Sequence, residues 1–287
     1  MYKYMYTNRL WMTLMENIKE KLSSGELVPF IGMGVFENTK AKDASTLPYD
    51  SDSMILALNN GRAMSQRLMY EYSRAAMSLE QRKGREFIVQ MTNHIYTSKE
   101  YDLPYTYEFF KNIKPKYMID TNMDDSSCKI YEDVEHFMIT GTSRISAEYD
   151  RFIVYKFDVS SKEYKLSDKE EISDSIPILF KPMGCTLPEP NFVVSDADFV
   201  DWLTEAMGGY ALPPFLKEYK KDKSYMFVGV DFSRDTFRMV AHEITLGLKD
   251  GIMVTKKDEL TKKENKFVDT HNLEVVKEDV DTYLKSL

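Results

Sequence analysis

A glycine pair, Gly32-Met33-Gly34, follows the short apolar run Leu27 to Ile31. A chain leaving a buried strand must turn sharply there. Glycine at such a turn lets backbone N–H groups come close to a pyrophosphate and meet its charge. The third glycine of the usual dinucleotide turn is absent, because Val35-Phe36-Glu37 follows instead. By itself the pair admits two readings, a phosphate loop or a plain tight turn. The four histidines, His94, His136, His242 and His271, show no metal-ligand spacing. His94 and His242 fall in helical patterns, while His136 and His271 precede strands. Cys128 and Cys185 are isolated thiols. They make neither a disulfide framework nor a four-thiolate zinc site, and no histidine near Cys185 in sequence activates it. No metal is expected.

The elements that would hold these residues fit within 287 residues, one large domain or a core with a smaller lobe. An apolar fraction of 43% and an aromatic fraction of 13% suit a chain that buries a substantial core. The 18 methionines suit irregular packing. No apolar run approaches the ~20 residues that span a bilayer, and Met1-Tyr2-Lys3-Tyr4 is too aromatic and polar for a secretion signal. The expectation is a cytoplasmic protein without membrane contact. A net charge of -8 argues against a nucleic-acid partner, since phosphate-backbone affinity needs clustered cations. Lys256-Lys257 and Lys262-Lys263 read as a solvated helix face.

Along the chain, Trp11, Leu14, Met15, Ile18 and Leu22 recur at helical spacing. Leu27 to Ile31 is a strand with Pro29 near its start, where a proline is tolerated. A polar loop covers Asp43 to Asp52. Met64, Leu68, Met69, Tyr72, Ala75, Ala76 and Leu79 predict one long helix, and Phe87, Ile88, Met91 and Ile95 a second. With no strand between them, residues 53–104 read as a helical insertion lobe within a core of 1–52 and 105–287, the whole a single unit over 1–287. After a short helix at Tyr105 to Ile113, strands are expected at Lys116 to Asp120, Phe137 to Thr140 and Ile176 to Lys181. A hairpin joins Arg151–Asp158 to Glu163–Leu166. Ser195 caps a helix with Asp198 at the capping-box position. Further strands fall at Tyr225 to Val230, Ile252 to Val254 and Leu273 to Val276, with helices at Phe237 to Leu248 and Val280 to Leu287. This alternation implies an α/β fold with a parallel sheet covered by helices on both faces.

Four segments, in order, resemble the sirtuin-like (silent information regulator-like) family in its divergent bacterial branch. Val28-Pro29-Phe30-Ile31-Gly32-Met33-Gly34-Val35 is similar to its phosphate-loop strand, and Asp120-Thr121-Asn122-Met123-Asp124 to its Thr-Asn-Tyr-Asp element. Leu179-Phe180-Lys181-Pro182-Met183-Gly184-Cys185, with Val194 to Phe199, resembles the Lys-x-His-Gly strand and the helix after it. Met226 to Asp235, carrying Gly229 and Ser233, resembles a further strand exit. The resemblance implies a Rossmann-like sheet with a small helical lobe. It also implies a nucleotide site at Gly32, Met33, Gly34, Thr121, Asn122, Asp124, Met183, Gly229 and Ser233, for NAD, ADP-ribose or a related nucleotide.

The family cleaves the nicotinamide–ribose bond of NAD, so the resemblance gives Asn122 the catalytic place. Its amide, which donates and accepts, would hold the ribose or order a water, and Asp124 would hold its own loop or a sugar hydroxyl. Both residues also suit a plain Asx turn. Met183 departs from the family, whose histidine there is a general base; a thioether has no proton to exchange. Phe36 replaces the expected serine and would crowd the phosphate loop or act as a stacking lid. The arginine-bearing loop of active sirtuins has no match between Phe36 and Asp52. Three functions follow: a nucleotide-binding domain with weak or no catalysis, an NAD glycohydrolase working through Asn122, or an interaction scaffold whose cleft Phe36 and Met183 block. Deacetylation would need the missing histidine and the family's zinc module. Self-association is left open.

Overall fold

The computed structural model describes residues 17–144 and 150–287. Residues 17–24 form α1, within the helix expected from Trp11; Trp11, Leu14 and Met15 lie outside the described residues. Strand β1 (Leu27–Ile31) follows, then α2 (Ser51–Leu58), α3 (Tyr72–Lys83), α4 (Arg85–Thr97) and α5 (Tyr105–Lys111). Next come β2 (Tyr117–Asp120), β3 (Phe137–Gly141), the hairpin β4 (Phe152–Asp158) and β5 (Glu163–Leu166), and β6 (Ile178–Lys181). A two-stranded ribbon, β7 (Gly184–Cys185) with β8 (Asn191–Phe192), leads to α6 (Asp196–Met207) and α7 (Pro214–Tyr219). The chain closes with β9 (Ser224–Val228), α8 (Asp235–Thr245), β10 (Asp250–Val254), α9 (Lys262–Thr270), β11 (Leu273–Val276) and α10 (Val280–Ser286).

The main sheet runs β11-β10-β9-β1-β2-β6-β3-β4-β5. It is parallel from β11 to β3, and β4 and β5 add an antiparallel margin. The sheet is therefore mixed, because a hairpin this tight can only return antiparallel. β1, β2 and β6 are buried at every residue, which accounts for their unbroken apolar runs. The margin strand β5 is exposed and carries Glu163 and Lys165, charges that discourage edge-to-edge pairing. Pro29 stands in a stretch of β1 that pairs with β9, the β2 ladder starting only at Phe30. This mostly parallel sheet with flanking helices is a Rossmann-like α/β architecture. No helix among the described residues is long and apolar enough to cross a membrane.

The long helix expected from Met64 does not form as one piece. Gly61, at φ +76°, follows α2, and the chain to Glu71 is irregular. Helix α3 starts at Tyr72, whose N–H donates to Ser51 Oγ at 2.9 Å and ties the starts of α2 and α3 together. Met64, Leu68 and Met69 happen to continue the apolar rhythm, but they pack as a turn, with Met64 N–H on Met69 Sδ at 3.5 Å.

Candidate functional site

Strand order reverses between β1 and β9: β1 continues to β2 on one side, while β9, β10 and β11 extend the other. Open parallel sheets bind ligands at such a switch point, beyond the carboxyl ends of the strands. A cavity of 220 Å³ lies there, and Gly32, Met33, Gly34, Thr121 and Gly229 all line it. The starts of α2 at Ser51, α3 at Tyr72 and α8 at Thr236 also reach its wall. Helix N-termini turn unpaired N–H groups and the positive end of the dipole toward such a space.

The glycines have a local explanation. Gly32 N–H donates to Val228 O at 3.0 Å, and Gly34 N–H to Gly229 O at 2.8 Å. A Cβ on Gly32 would stand 2.6 Å from Gly229 O. Gly229 itself sits at φ +65°, and a Cβ there would stand 2.6 Å from Val35 N. The two loops interlock backbone to backbone, which only glycine permits at this distance. Their close approach is to each other, and the lining they form is the floor of the cavity.

Charge is distributed unevenly around that floor. Lys257 bridges Asp231 and Glu264, at 2.6 Å to each. Burial works to raise the Asp231 carboxyl, but Lys257 and the Ser233 N–H outweigh it and hold it below its usual range. Lys256 pairs with Glu37 and lies 4.0 Å from Asp279. Glu71 lines the cavity while only 6% exposed. Its burial pushes the carboxyl up. Arg234 lines the same wall, 4.5 Å from the Tyr70 ring centroid, and its shielded Nε has no partner among the described residues.

The other side chains anticipated for the site are engaged within the protein. Thr121 Oγ1 donates to Ile31 O at 2.8 Å, fastening β2 to β1. Asn122 is buried, with Nδ2 donating to Tyr107 Oη at 2.8 Å and its N–H to Asp120 Oδ1 at 3.1 Å. Asp120 in turn accepts from Lys181 Nζ at 2.8 Å, and Lys181 reaches Ser127 Oγ at 3.1 Å. Asp124 accepts from Ser126 N–H at 3.0 Å through Oδ2, while Oδ1 is buried without a partner among the described residues. Burial pushes its carboxyl up to about 6, with Lys181 pulling the other way. Met183 has no exposed surface. Ser233 turns onto Asp231, its Oγ at 3.0 Å and its N–H at 2.9 Å. None of Asn122, Asp124, Met183 and Ser233 lines the cavity.

Phe36 is a correction. It is neither a lid nor an obstruction, since its ring is fully buried 6.2 Å from that of Tyr107. With Met183 also in the core, the cleft at Gly32 is open rather than blocked. Cys128 and Cys185 are both free and buried, Cys128 Sγ lying 3.7 Å from Met138 Sδ and Cys185 Sγ donating to Asp124 O at 3.4 Å. Among the histidines, His136 is sealed against Tyr164 Oη at 2.8 Å, and burial lowers it to about 4. His242 Nδ1 lies 3.2 Å from His271 Nε2. Among the described residues no group of three or more His, Cys, Asp or Glu could hold a metal. Sequence reasoning missed Glu71 and Arg234. Placing residue 71 inside a long helix hid its position at the mouth of α3.

Residues 142–276 match the model of the SIR2-like domain. The match runs from just before β4 to the end of β11, so it includes Gly229, Arg234 and Met183 but not Gly32 or Asn122. No curated protein matches the chain.

Proposed function

We propose that the chain, whose residues 142–276 match the SIR2-like domain, binds NAD, ADP-ribose or a related nucleotide in the cavity between Gly32 and Gly229, with weak or no turnover. The observation that carries this reading is a cavity at the switch point whose wall holds Arg234, its shielded Nε without a partner among the described residues, beside the start of α8, which no side chain caps. Those donors fit a phosphate, and the carboxylates of Glu71, Asp279 and Asp281 in the same wall fit sugar hydroxyls. At 220 Å³ the cavity falls below the ~300–1,000 Å³ of a site that encloses a whole drug-sized ligand. It accordingly seats one nucleotide unit and leaves the rest of a dinucleotide outside.

Weak turnover follows from the chain's own residues. Bound NAD would supply the nicotinamide–ribose bond, and its cleavage needs a group that orders water or exchanges a proton. Met183 can do neither, and the Asn122 amide is already engaged by Tyr107. We assign the protein to the cytoplasm, with a small molecule rather than nucleic acid or a membrane as its partner.

Isothermal titration with ADP-ribose and NAD tests the reading. Saturable binding is expected, together with nicotinamide release from NAD no faster than in Asn122→Ala. Absence of heat at millimolar ligand would overturn nucleotide binding. Release above the Asn122→Ala control would instead establish an NAD glycohydrolase.

A further inference from the structure

Glu71 and Arg234 come from distant parts of the chain, one at the start of α3 and one at the start of α8, and meet in one wall of the cavity. Each is placed unusually for its type. An acidic residue before a helix ordinarily caps it, yet the Glu71 side chain makes no cap hydrogen bond. It is buried in the cavity lining instead, in a wall it shares with Arg234 and Thr236. A carboxylate has acceptor sites for about four hydrogen bonds, and with no helix cap to make, Glu71 keeps acceptor capacity on the cavity side. Arg234 is the complement. Its guanidinium lies over Tyr70, and its shielded Nε–H lacks an acceptor among the described residues. A buried donor of this kind is costly to leave unmade, and an anionic oxygen would satisfy it.

A hydroxyl donor and an anionic acceptor only a few bonds apart are what a phosphorylated ribose presents. We propose that Glu71 accepts a hydrogen bond from a ribose hydroxyl while Arg234 donates to the neighbouring phosphate, so that the cavity recognises the phosphoribosyl end of its nucleotide. This rests on the nucleotide reading above and assigns specificity to two residues outside the glycine loops. Glu71 in this role is a binding residue, and the raised affinity of its carboxyl for a proton agrees with a group held away from water.

The test is titration calorimetry on the full chain with AMP, 2′-deoxy-AMP, 3′-deoxy-AMP and adenosine. Wild type is expected to prefer AMP over one of the deoxy analogues by on the order of 10- to 100-fold, the worth of one hydrogen bond to a charged group. Glu71→Ala should abolish that preference and keep the preference for AMP over adenosine; Arg234→Gln should do the reverse. Equal binding of AMP and both deoxy analogues by wild type overturns the proposal without recourse to any variant. So does an undiminished preference in Glu71→Ala. Binding of ADP-ribose without AMP removes this proposal and leaves the nucleotide reading standing, whereas binding of neither removes both.

Discussion

Two regions of this molecule carry the residues that resemble nucleotide machinery, and they are built in opposite ways. At the switch point, backbone meets backbone through Gly32, Gly34 and Gly229, and charged side chains stand around an open cavity. Beneath the ends of β2 and β6, Asp120 and Lys181 have no exposed surface at all. There Asn122, Tyr107, Asp120, Lys181 and Ser127 form a continuous chain of hydrogen bonds. Successive residues leaving a strand point in opposite directions, so Thr121 reaches the cavity while its neighbours Asp120 and Asn122 join the sealed network. The first region is equipped to take a ligand; the second is equipped to hold strand ends in place.

The largest effect should come from breaking the sealed region. Burial works against the Lys181 ammonium, but the Asp120 carboxylate outweighs it and keeps the charge. Lys181→Ala would strand that carboxylate, at a cost of about 3–5 kcal/mol. Urea unfolding should show this loss, while the affinity of the remaining folded protein for ADP-ribose stays within a fewfold of wild type. The double substitution Asp120→Asn with Lys181→Met should recover most of the stability, because removing both charges also removes their desolvation. Should Lys181→Ala stay stable and lose the ligand, the division between the regions collapses.

A smaller change at the other region should reverse the balance of effects. Gly229→Ala places a Cβ against Val35 N in a left-handed conformation, a strain of about 1–3 kcal/mol. The interlocked loops must part to admit it, and those loops are the cavity floor. Thermal unfolding should therefore show a milder loss than Lys181→Ala, with a larger fall in ADP-ribose affinity. Equal affinities in Gly229→Ala and wild type would show that the ligand does not read the floor.

The positions of the central strands along the chain were legible because these strands announce themselves. Leu27–Ile31 and Ile178–Lys181 are short apolar runs, buried at every residue, and the hairpin of β4 and β5 is bounded by a polar turn. The strand exits were legible too, since Gly32 and Gly229 mark them directly. The direction of a side chain beyond a strand end was not, and Met183 and Asn122 face the core for reasons that lie in Tyr107 and β6. Nor was the mouth of α3 visible, because Met64, Leu68 and Met69 mimic the period of the helix that follows. Glu71 was lost with it. Tertiary contact, not composition, brings Glu71 and Arg234 together.

The subtlest way to sharpen the comparison is through pH. Burial pushes the Asp124 carboxyl from its ordinary 3.8 up to about 6, so the folded state holds a proton that the unfolded chain has released. Between those values stability falls as pH rises, and acidification relieves the penalty. His136 acts in the other direction: burial lowers it from 6.5 to about 4, so its contribution is present above about 6.5 and is lost as pH falls through that window. In wild type the two terms oppose one another. Asp124→Asn removes the carboxyl's term and leaves the histidine's, so its stability should drop more steeply than wild type from pH 6.5 to 4 in urea titrations. Parallel curves for the two proteins would mean that Asp124 ionises as a solvated carboxylate does, and that the region beneath β2 and β6 is as open to water as the cleft above it.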